Sequence, residues 1–181
     1  MKKTYIVNYF GGPGSGKSAL SAGLFYKFKM IGLDCEIITE KAKDLTWEKN
    51  WTGLRCQPWV SGSQLYRQER LEGQVDLVMT DSPILLGLLY YKEENKDIKY
   101  HFERFIIETF KSKNNINVFV QRQKSYNPNG RNQTEEEAME IDNITKRILD
   151  ENGIEYMNVD GTIEGLEYLF NKVWSVVYDK H

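Results

Sequence analysis

The 181-residue sequence has little cysteine, no long apolar run and no excess of either charge. Its two cysteines, Cys35 and Cys56, exclude a disulfide scaffold and a cysteine-rich zinc site, and they are typical of a reducing compartment. No stretch approaches the roughly 20 apolar residues of a membrane-spanning helix. The apolar run after Lys2 and Lys3 ends at Gly11, which is too early for a signal peptide. We therefore expect a cytoplasmic protein that does not enter a membrane.

The charges nearly cancel, because 24 Lys and Arg stand against 26 Asp and Glu, for a net charge of −2. This balance excludes bulk electrostatic attraction to nucleic acid, although a basic groove can still form locally. Hydrophobic residues make up 40% of the chain, which is enough for a packed core and too much for a disordered protein. The length favours one domain, over residues 1–181.

Short segments rich in β-branched and aromatic residues alternate with helical patterns along the chain. Strands are predicted at residues 4–10, 35–39, 75–80, 116–120 and 155–159. Helices are predicted at residues 17–31, from Ser61 or Ser63 to Arg70, and at 84–91, 100–111, 134–153 and 162–177. Segments 40–60 and 92–99 are predicted to be polar connections. This alternation is typical of a parallel sheet covered on both faces, so we expect a three-layer α/β fold.

Residues 11–18 read GGPGSGKS and match the phosphate-binding pattern G-x-x-x-x-G-K-[ST] in full. The glycines let backbone N–H groups turn inward around phosphate oxygens, and the following helix adds its dipole. Lys17 supplies a positive charge for the β- and γ-phosphates, and the Ser18 hydroxyl can ligate Mg²⁺. A predicted strand leads into the loop and a predicted helix leads out of it, as the motif requires. We expect ATP to be bound by Gly11, Gly12, Pro13, Gly14, Ser15, Gly16, Lys17, Ser18 and Ala19.

Two classes of nucleotide-binding protein fit the remaining sequence poorly. A GTPase requires D-x-x-G and N-K-x-D, whereas residues 81–84 read DSPI and residues 95–97 read NKD, with the Asp one place too early. A motor or AAA-type ATPase usually has a longer chain and an acidic pair after the third strand, whereas Asp81 follows its strand alone. These departures disfavour a GTP switch and a motor.

A phosphotransferase needs a carboxylate near the acceptor hydroxyl, Mg²⁺ near the γ-phosphate and cations over the transferred group. Glu40 follows the second predicted strand and Asp81 follows the third. Because the carboxyl ends of parallel strands share one edge, both carboxylates should face the phosphates. Two alternatives stay open, a solvated loop acid for Glu40 and a helix N-cap for Asp81.

The segment 121–133 reads QRQKSYNPNGRNQ and is predicted to be a loop. Such a loop could close over ATP and bring Arg122 and Arg131 beside the transferred phosphoryl group, with Lys124 as a weaker candidate. The alternative is a solvated basic loop. Asp160 and Gly161 end the last strand at the same edge, where backbone contacts would hold the nucleotide base, while Thr162 is equally suited to cap the next helix.

At these residues the chain resembles the NadR-like P-loop kinases. These include the ribosylnicotinamide kinase domain of the bacterial NAD-synthesis regulator and small bacteriophage ATPases of the AAA and nucleoside-kinase-like type. The resemblance spans essentially the whole chain and rests on GGPGSGKS, TEKAKDLTW, VMTDSPILLGLLYY, RQKSYNPNGRNQ and ITKRILDENGIEYMNVDGT. It implies an NMP-kinase-like, five-stranded parallel sheet with a lid at about 121–133. The implied activity is ATP- and Mg²⁺-dependent phosphorylation of an acceptor hydroxyl.

By this resemblance, Asp81 lies between the metal and the acceptor, and Glu40 binds or deprotonates the acceptor. Arg122 and Arg131 are the lid arginines, and Lys17 acts on the phosphates. Related phage kinases are thought to phosphorylate hydroxymethyl-pyrimidines within DNA, so DNA is also a candidate partner.

The acceptor region, at about 40–70, contains side chains that could stack on a base, either free or flipped out of DNA. They are Trp47, Trp51, Trp59, Tyr66 and Arg67. The alternative is that these aromatic residues fill the core beneath a long connection. The acceptor therefore stays open among a nucleoside, a nucleotide and a modified base in DNA. A non-catalytic ATP-binding module and a DNA-stimulated ATPase are the competing functional classes.

Overall fold

The computed structural model of the protein describes residues 2–123 and 134–178. Its centre is a five-stranded sheet in the order β2-β3-β1-β4-β5, in which every neighbouring pair is parallel. The strands are β1 (Tyr5–Phe10), β2 (Cys35–Ile38), β3 (Leu77–Thr80), β4 (Asn114–Gln121) and β5 (Met157–Asp160). The predicted α/β class with a five-stranded parallel sheet is confirmed.

The described residues contain eight α-helices and one 3₁₀ turn, at Ile84–Leu86. The helices are α1 (Lys17–Met30), α2 (Lys41–Trp47), α3 (Trp51–Arg55), α4 (Gln57–Glu69), α5 (Gly87–Tyr90), α6 (Lys96–Lys111), α7 (Glu135–Glu151) and α8 (Ile163–Tyr178). Within these described ranges, no helix is both long enough and apolar enough to cross a membrane.

Strand β1 forms the middle of the core, and all six of its residues are buried. Because successive side chains of a strand point to opposite faces, β1 contributes to two separate layers. On one face, Val7 and Tyr9 pack with Leu24 of α1 and Leu169 of α8. On the other face, Phe10 packs with apolar residues of α6 and α7. Burial on both faces holds β1 rigidly, and therefore also the loop that follows it.

The structure corrects the prediction for the segment 40–60, which contains α2, α3 and the first turn of α4 instead of one polar connection. The first two helices have only seven and five residues, which is too short for an apolar period to be visible. Helix α4 begins at Gln57, ahead of Ser61 and Ser63, because Pro58 in its first turn suits a helix start.

Two other helix starts depend on local capping. Helix α6 begins at Lys96 and not at Tyr100, because the Asn95 side chain accepts hydrogen bonds from the N–H groups of Asp97 and Ile98. The predicted polar connection at 92–99 is therefore shorter than expected. At α7, the predicted capping box is confirmed: Thr134 Oγ1 accepts from Glu137 N at 3.2 Å, and Thr134 N donates to Glu137 Oε2 at 2.7 Å.

Candidate phosphate and acceptor site

The loop between β1 and α1 has the backbone shape of an anion-binding turn. Gly11 and Gly16 have positive φ angles of 128° and 107°, which a side chain would strain. Gly16 is also the N-cap of α1, so the first backbone N–H groups of the helix are directed toward the loop. Ser15 is buried, and its Oγ has no hydrogen-bond partner among the described residues. The loop thus combines the N–H groups at the start of α1 with a polar side chain, as phosphate binding requires.

Lys17, the first residue of α1, lies folded back over this loop. Its Nζ donates to the carbonyl oxygens of Gly11 at 2.5 Å and Gly12 at 2.9 Å. Burial lowers the pKa of Lys17, while the negative charges of Glu40 and Asp81 act in the opposite direction. The ammonium group therefore lies within electrostatic range of both carboxylates.

Asp81 directly follows β3, which is the neighbour of β1 in the sheet. Ser18 Oγ donates to Asp81 Oδ2 at 2.5 Å. The N-cap alternative for Asp81 is not seen, since no side chain caps the turn at Ile84–Leu86. The structure therefore brings together the two residues predicted to face the metal.

The oxygen atoms of Ser18 and Asp81 are suitable ligands for Mg²⁺. Mg²⁺ is a hard cation that usually keeps several waters and binds one or two carboxylates together with substrate phosphates. Ser18 and Asp81 offer oxygen atoms only, beside the loop where phosphates would lie. Residues 2–123 and 134–178 hold no cluster of three or more His, Cys, Asp or Glu that could bind a metal unaided. The residues present therefore fit an ion that arrives together with ATP.

Glu40 is the N-cap residue of α2 but caps it with no side-chain hydrogen bond, and it is half-buried rather than solvated. Burial raises the pKa of Glu40, and the nearby negative charge of Asp81 raises it further, while Lys17 opposes both effects. A carboxyl group with a raised pKa beside a phosphate site is suited to accept a proton.

Tyr90, at the end of α5, is a candidate site residue that the sequence analysis did not single out. Tyr90 is 45% exposed, but desolvation of its hydroxyl group, followed by the negative charge of Glu40, raises its pKa to about 12. Like an ordinary tyrosine, whose pKa is about 10, it is protonated at neutral pH and can donate a hydrogen bond. The segment LLGLLYY offers no signal for this role, because the proximity of Tyr90 to Glu40 depends on how α5 packs.

Arg122 contacts the outer side of the phosphate loop. It donates to the Pro13 carbonyl oxygen at 2.7 Å and to Asp142 Oδ2 at 3.3 Å. The other carboxylate oxygen of Asp142 accepts a hydrogen bond from the backbone N–H of Gly12. The role of Arg122 in transfer stays a prediction, and its contacts add a function in holding the loop. The predicted lid residues Lys124 and Arg131 lie outside the described residues.

Asp142 is the second residue that the sequence analysis missed. It lies on α7, about 130 positions from the loop that it contacts, so no local pattern connects the two. Its side chain is only 18% exposed, and that of Arg122 only 13%. A Cβ atom at Gly12 would collide with the carbonyl oxygen of Ala138, one turn before Asp142. The second glycine of GGPGSGKS is therefore explained by the close approach of α7.

The end of β5 packs against the same loop. Gly161 N donates to Gln121 O at 3.2 Å, and a Cβ atom at Gly161 would lie 2.5 Å from the Ser15 carbonyl oxygen. Gln123 Nε2 donates to Asp160 Oδ1 at 2.6 Å. Thr162 caps α8 by accepting from Gly165 N at 3.1 Å. Asp160 and Gly161 thus lie where the sequence predicts, beside the loop, while their contact with a base stays a prediction.

The aromatic residues of the acceptor region are exposed, so the alternative that they fill the core is wrong. Trp47 is 76% exposed, Trp51 48%, Trp59 42% and Tyr66 70%. They also form no single cluster: Trp59 and Tyr66 line a groove with Arg67, whereas Trp47 and Trp51 are not part of its lining.

Comparison with known proteins agrees with this geometry. A family model described as an AAA domain matches residues 6–165, which is most of the chain. The chain belongs to this AAA domain family. This match agrees with the resemblance to small AAA-type ATPases that the sequence shows. The short length and the lone Asp81 remain arguments against a motor, not against membership of the family. Among curated proteins, the sequence has no significant match.

The AAA domain is also similar to a solved structure of deoxyadenosine kinase from M. mycoides with bound dATP. The TM-score is 0.59 and the sequence identity 16%, and the match covers 93% of this chain and 98% of the kinase chain. At this identity the likeness shows the fold, which is that of a P-loop, nucleoside-kinase-like protein. The narrower resemblance to NadR-like and bacteriophage kinases stays a prediction.

Proposed function

We propose that the protein is an ATP- and Mg²⁺-dependent kinase. Its acceptor is a hydroxyl group of a nucleoside, a nucleotide or a hydroxymethyl-pyrimidine base in DNA. The observation that carries the proposal is a second, half-buried carboxylate, Glu40, which follows β2 just as Asp81 follows the neighbouring strand β3, where Ile38 is paired with Thr80. A protein that only holds ATP has no need for a basic carboxylate at this position, whereas phosphoryl transfer to a hydroxyl does.

The donor side would bind ATP through the loop residues 11–19, with Asp160 and Gly161 beside the base. Lys17 places its charge at the β- and γ-phosphates, and the N–H groups at the start of α1 donate to their oxygens. Ser18 and Asp81 would hold Mg²⁺, which, when bound, neutralises charge on the same two phosphates.

In the transfer step, ionised Glu40 accepts the proton of the acceptor hydroxyl. The hydroxyl oxygen forms a bond to the γ-phosphorus, while the bond from that phosphorus to the β–γ bridging oxygen breaks. The products are the phosphorylated acceptor and ADP, and the proton remains on Glu40. Because its pKa is raised, Glu40 is a stronger base than an exposed carboxylate.

The protein would form one kinase domain that spans residues 1–181. Within it, we place the binding site of the acceptor in the region of about 40–70. The exposed rings of Trp47 and Trp51 are candidates for contact with an acceptor base. Tyr90, which ends α5 and is 45% exposed within electrostatic range of Glu40, is a candidate hydrogen-bond donor to the acceptor.

The experiment that tests the proposal follows the label of γ-labelled ATP, with Mg²⁺, into separate acceptor pools. These pools are nucleosides, nucleoside monophosphates, ribosylnicotinamide, and DNA with or without hydroxymethyl-pyrimidines. Label in a small molecule identifies a metabolite kinase, and label in DNA alone identifies a kinase of DNA bases. ATP binding without label in any pool would overturn the proposal in favour of a binding module, and DNA-stimulated release of free phosphate would favour an ATPase.

A further inference from the structure

Helix α4 inverts the usual distribution of side chains on a surface helix. A helix that packs on a sheet normally buries apolar residues and exposes polar ones. Helix α4 buries the polar residues Gln57, Ser61, Gln64 and Gln68, and it exposes Trp59 and Tyr66. Large aromatic side chains that a helix exposes while it buries glutamines do not serve the core. They indicate a surface for binding.

The exposed face of α4 lines a cavity of about 760 Å³ beside β2, which is an edge strand of the sheet. We call this cavity the edge groove. Thr39 and Lys41 line it from the strand side, and Trp59, Tyr66 and Arg70 line it from α4. Its volume lies within the range of about 300–1,000 Å³ that is typical of small-molecule sites.

Trp59 and Tyr66 are seven residues apart, so they lie on the same side of α4, about 10 Å apart along its axis. Between them, Gly62 and Ser63 keep the floor of the edge groove low. Two exposed rings above a small-residue floor provide flat surfaces on which a base can stack.

The edge groove is also basic. Among the residues that the structure describes, its lining includes Lys41, Arg67 and Arg70 and no acidic residue. Lys41 Nζ lies 5.1 Å from the centre of the Trp59 ring. Arg67 is held in place, because it donates to the Thr39 carbonyl oxygen at 2.9 Å and to Asp44 Oδ2 at 2.6 Å. Cations beside exposed aromatic rings are the combination that recognises a nucleotide.

Neither Glu40 nor any residue of the phosphate loop lines the edge groove. We propose that it is a second nucleotide-binding site, separate from the phosphate loop and from the acceptor site at Glu40, so that Trp59, Tyr66 and Arg67 belong to this groove and not to the acceptor site. A base stacks on Tyr66 or Trp59, and the adjoining phosphate contacts Arg70 and Lys41. The bound nucleotide is either free or one unit of a single nucleic-acid strand, since both present the same base and phosphate. An extended peptide paired with β2 is the competing occupant. It is disfavoured because Arg67 already uses the carbonyl of Thr39, next to the end of that edge.

The test measures binding while the phosphate loop is saturated with a non-hydrolysable ATP analogue and Mg²⁺. The probes are a fluorescein-labelled oligothymidylate, followed by anisotropy, and unlabelled thymidine monophosphate, followed by calorimetry. Tyr66→Ala and Arg70→Ala should each weaken binding about tenfold. For the oligothymidylate, Arg70→Ala should also reduce the slope of the logarithm of the binding constant against the logarithm of the salt concentration by about one.

Matched controls come from α6, where Tyr100 and Lys96 are exposed outside the edge groove. Tyr100→Ala and Lys96→Ala should leave binding unchanged. Asp81→Asn, which should stop phosphoryl transfer, should also leave it unchanged. The binding test of the edge groove and the transfer test of the proposed reaction therefore have independent outcomes.

Binding of thymidine monophosphate would identify a free nucleotide as the ligand. Binding of the oligothymidylate, without binding of the monophosphate, would identify a single nucleic-acid strand as the ligand. Both results support the proposal. Three results would overturn it. These are the absence of binding by either probe, binding that Tyr66→Ala and Arg70→Ala leave unchanged, and displacement by polyglutamate as effective as by unlabelled oligonucleotide. The last result would mean that charge alone attracts any acidic chain, a peptide included.

Discussion

The phosphate loop and the acceptor region 40–70 both follow strands at the carboxyl edge of the sheet, but they differ in their surroundings. The loop follows a strand that is buried throughout, and it is held by α7 and by the end of β5. The acceptor region consists of the three helices α2, α3 and α4, and it exposes Trp47 and Trp51. The difference indicates that the binding site for ATP is preformed, whereas the acceptor side is open enough to admit a large ligand. Substitutions on the donor side should therefore have the larger effects.

The largest effect is expected from Lys17→Ala, which removes the ammonium group from the loop. Transfer should fall by about 10³-fold, because a fixed charge aimed at the transferring phosphates is lost. The rate of label transfer from γ-labelled ATP measures this effect. Lys29→Ala, on the exposed side of the same helix, is the control and should retain full activity. Equal rates for both variants would contradict the role of Lys17.

Asp81→Asn should lower kcat by roughly 10²-fold or more and leave much of the affinity for ATP. The amide keeps the size of the side chain but removes the charge that faces the metal. Turnover and equilibrium binding of ATP, measured side by side, separate the two effects. Asp76→Asn, just before the other end of β3, is the matched control. Unchanged turnover in Asp81→Asn would refute its assignment.

Protonation of Glu40 should cause the acidic limb of the pH profile, which is the fall of kcat/KM at low pH. Only ionised Glu40 accepts a proton, so kcat/KM should fall as the pH drops through its pKa. Because burial and Asp81 raise that pKa, the fall should lie above the range of an ordinary carboxyl group. Glu40→Gln should reduce transfer about 10²-fold and abolish the limb. A limb that persists in Glu40→Gln would show that another group accepts the proton.

A smaller effect is expected from Asp142→Ala, which releases Gly12 and Arg122 from α7. The loop then loses one of its supports but none of its phosphate ligands. We expect KM for ATP to rise about tenfold with little change in kcat, since a buried hydrogen bond is lost. Glu140→Ala, at an exposed position of the same helix, is the control. A fall in kcat at constant KM would instead place Asp142 in the chemical step.

The donor side could be predicted from the sequence because its signals are local or follow from sheet topology. GGPGSGKS is contiguous, and the pairing of Ser18 with Asp81 follows from two parallel neighbouring strands. The contact of Asp142 with Gly12 could not be predicted, because it depends on the packing of a distant helix. The exposure of Trp59 and Tyr66 could not be predicted either, because an aromatic residue on a helix normally indicates a core position.

The most direct test of the central claim compares, in one reaction, the ADP formed with the phosphorylated acceptor formed, in the pool that takes up label. Phosphoryl transfer with Glu40 as the base predicts one phosphorylated acceptor for each ADP, and negligible free phosphate. ADP matched by free phosphate alone, across every pool, would contradict the account and identify an ATPase.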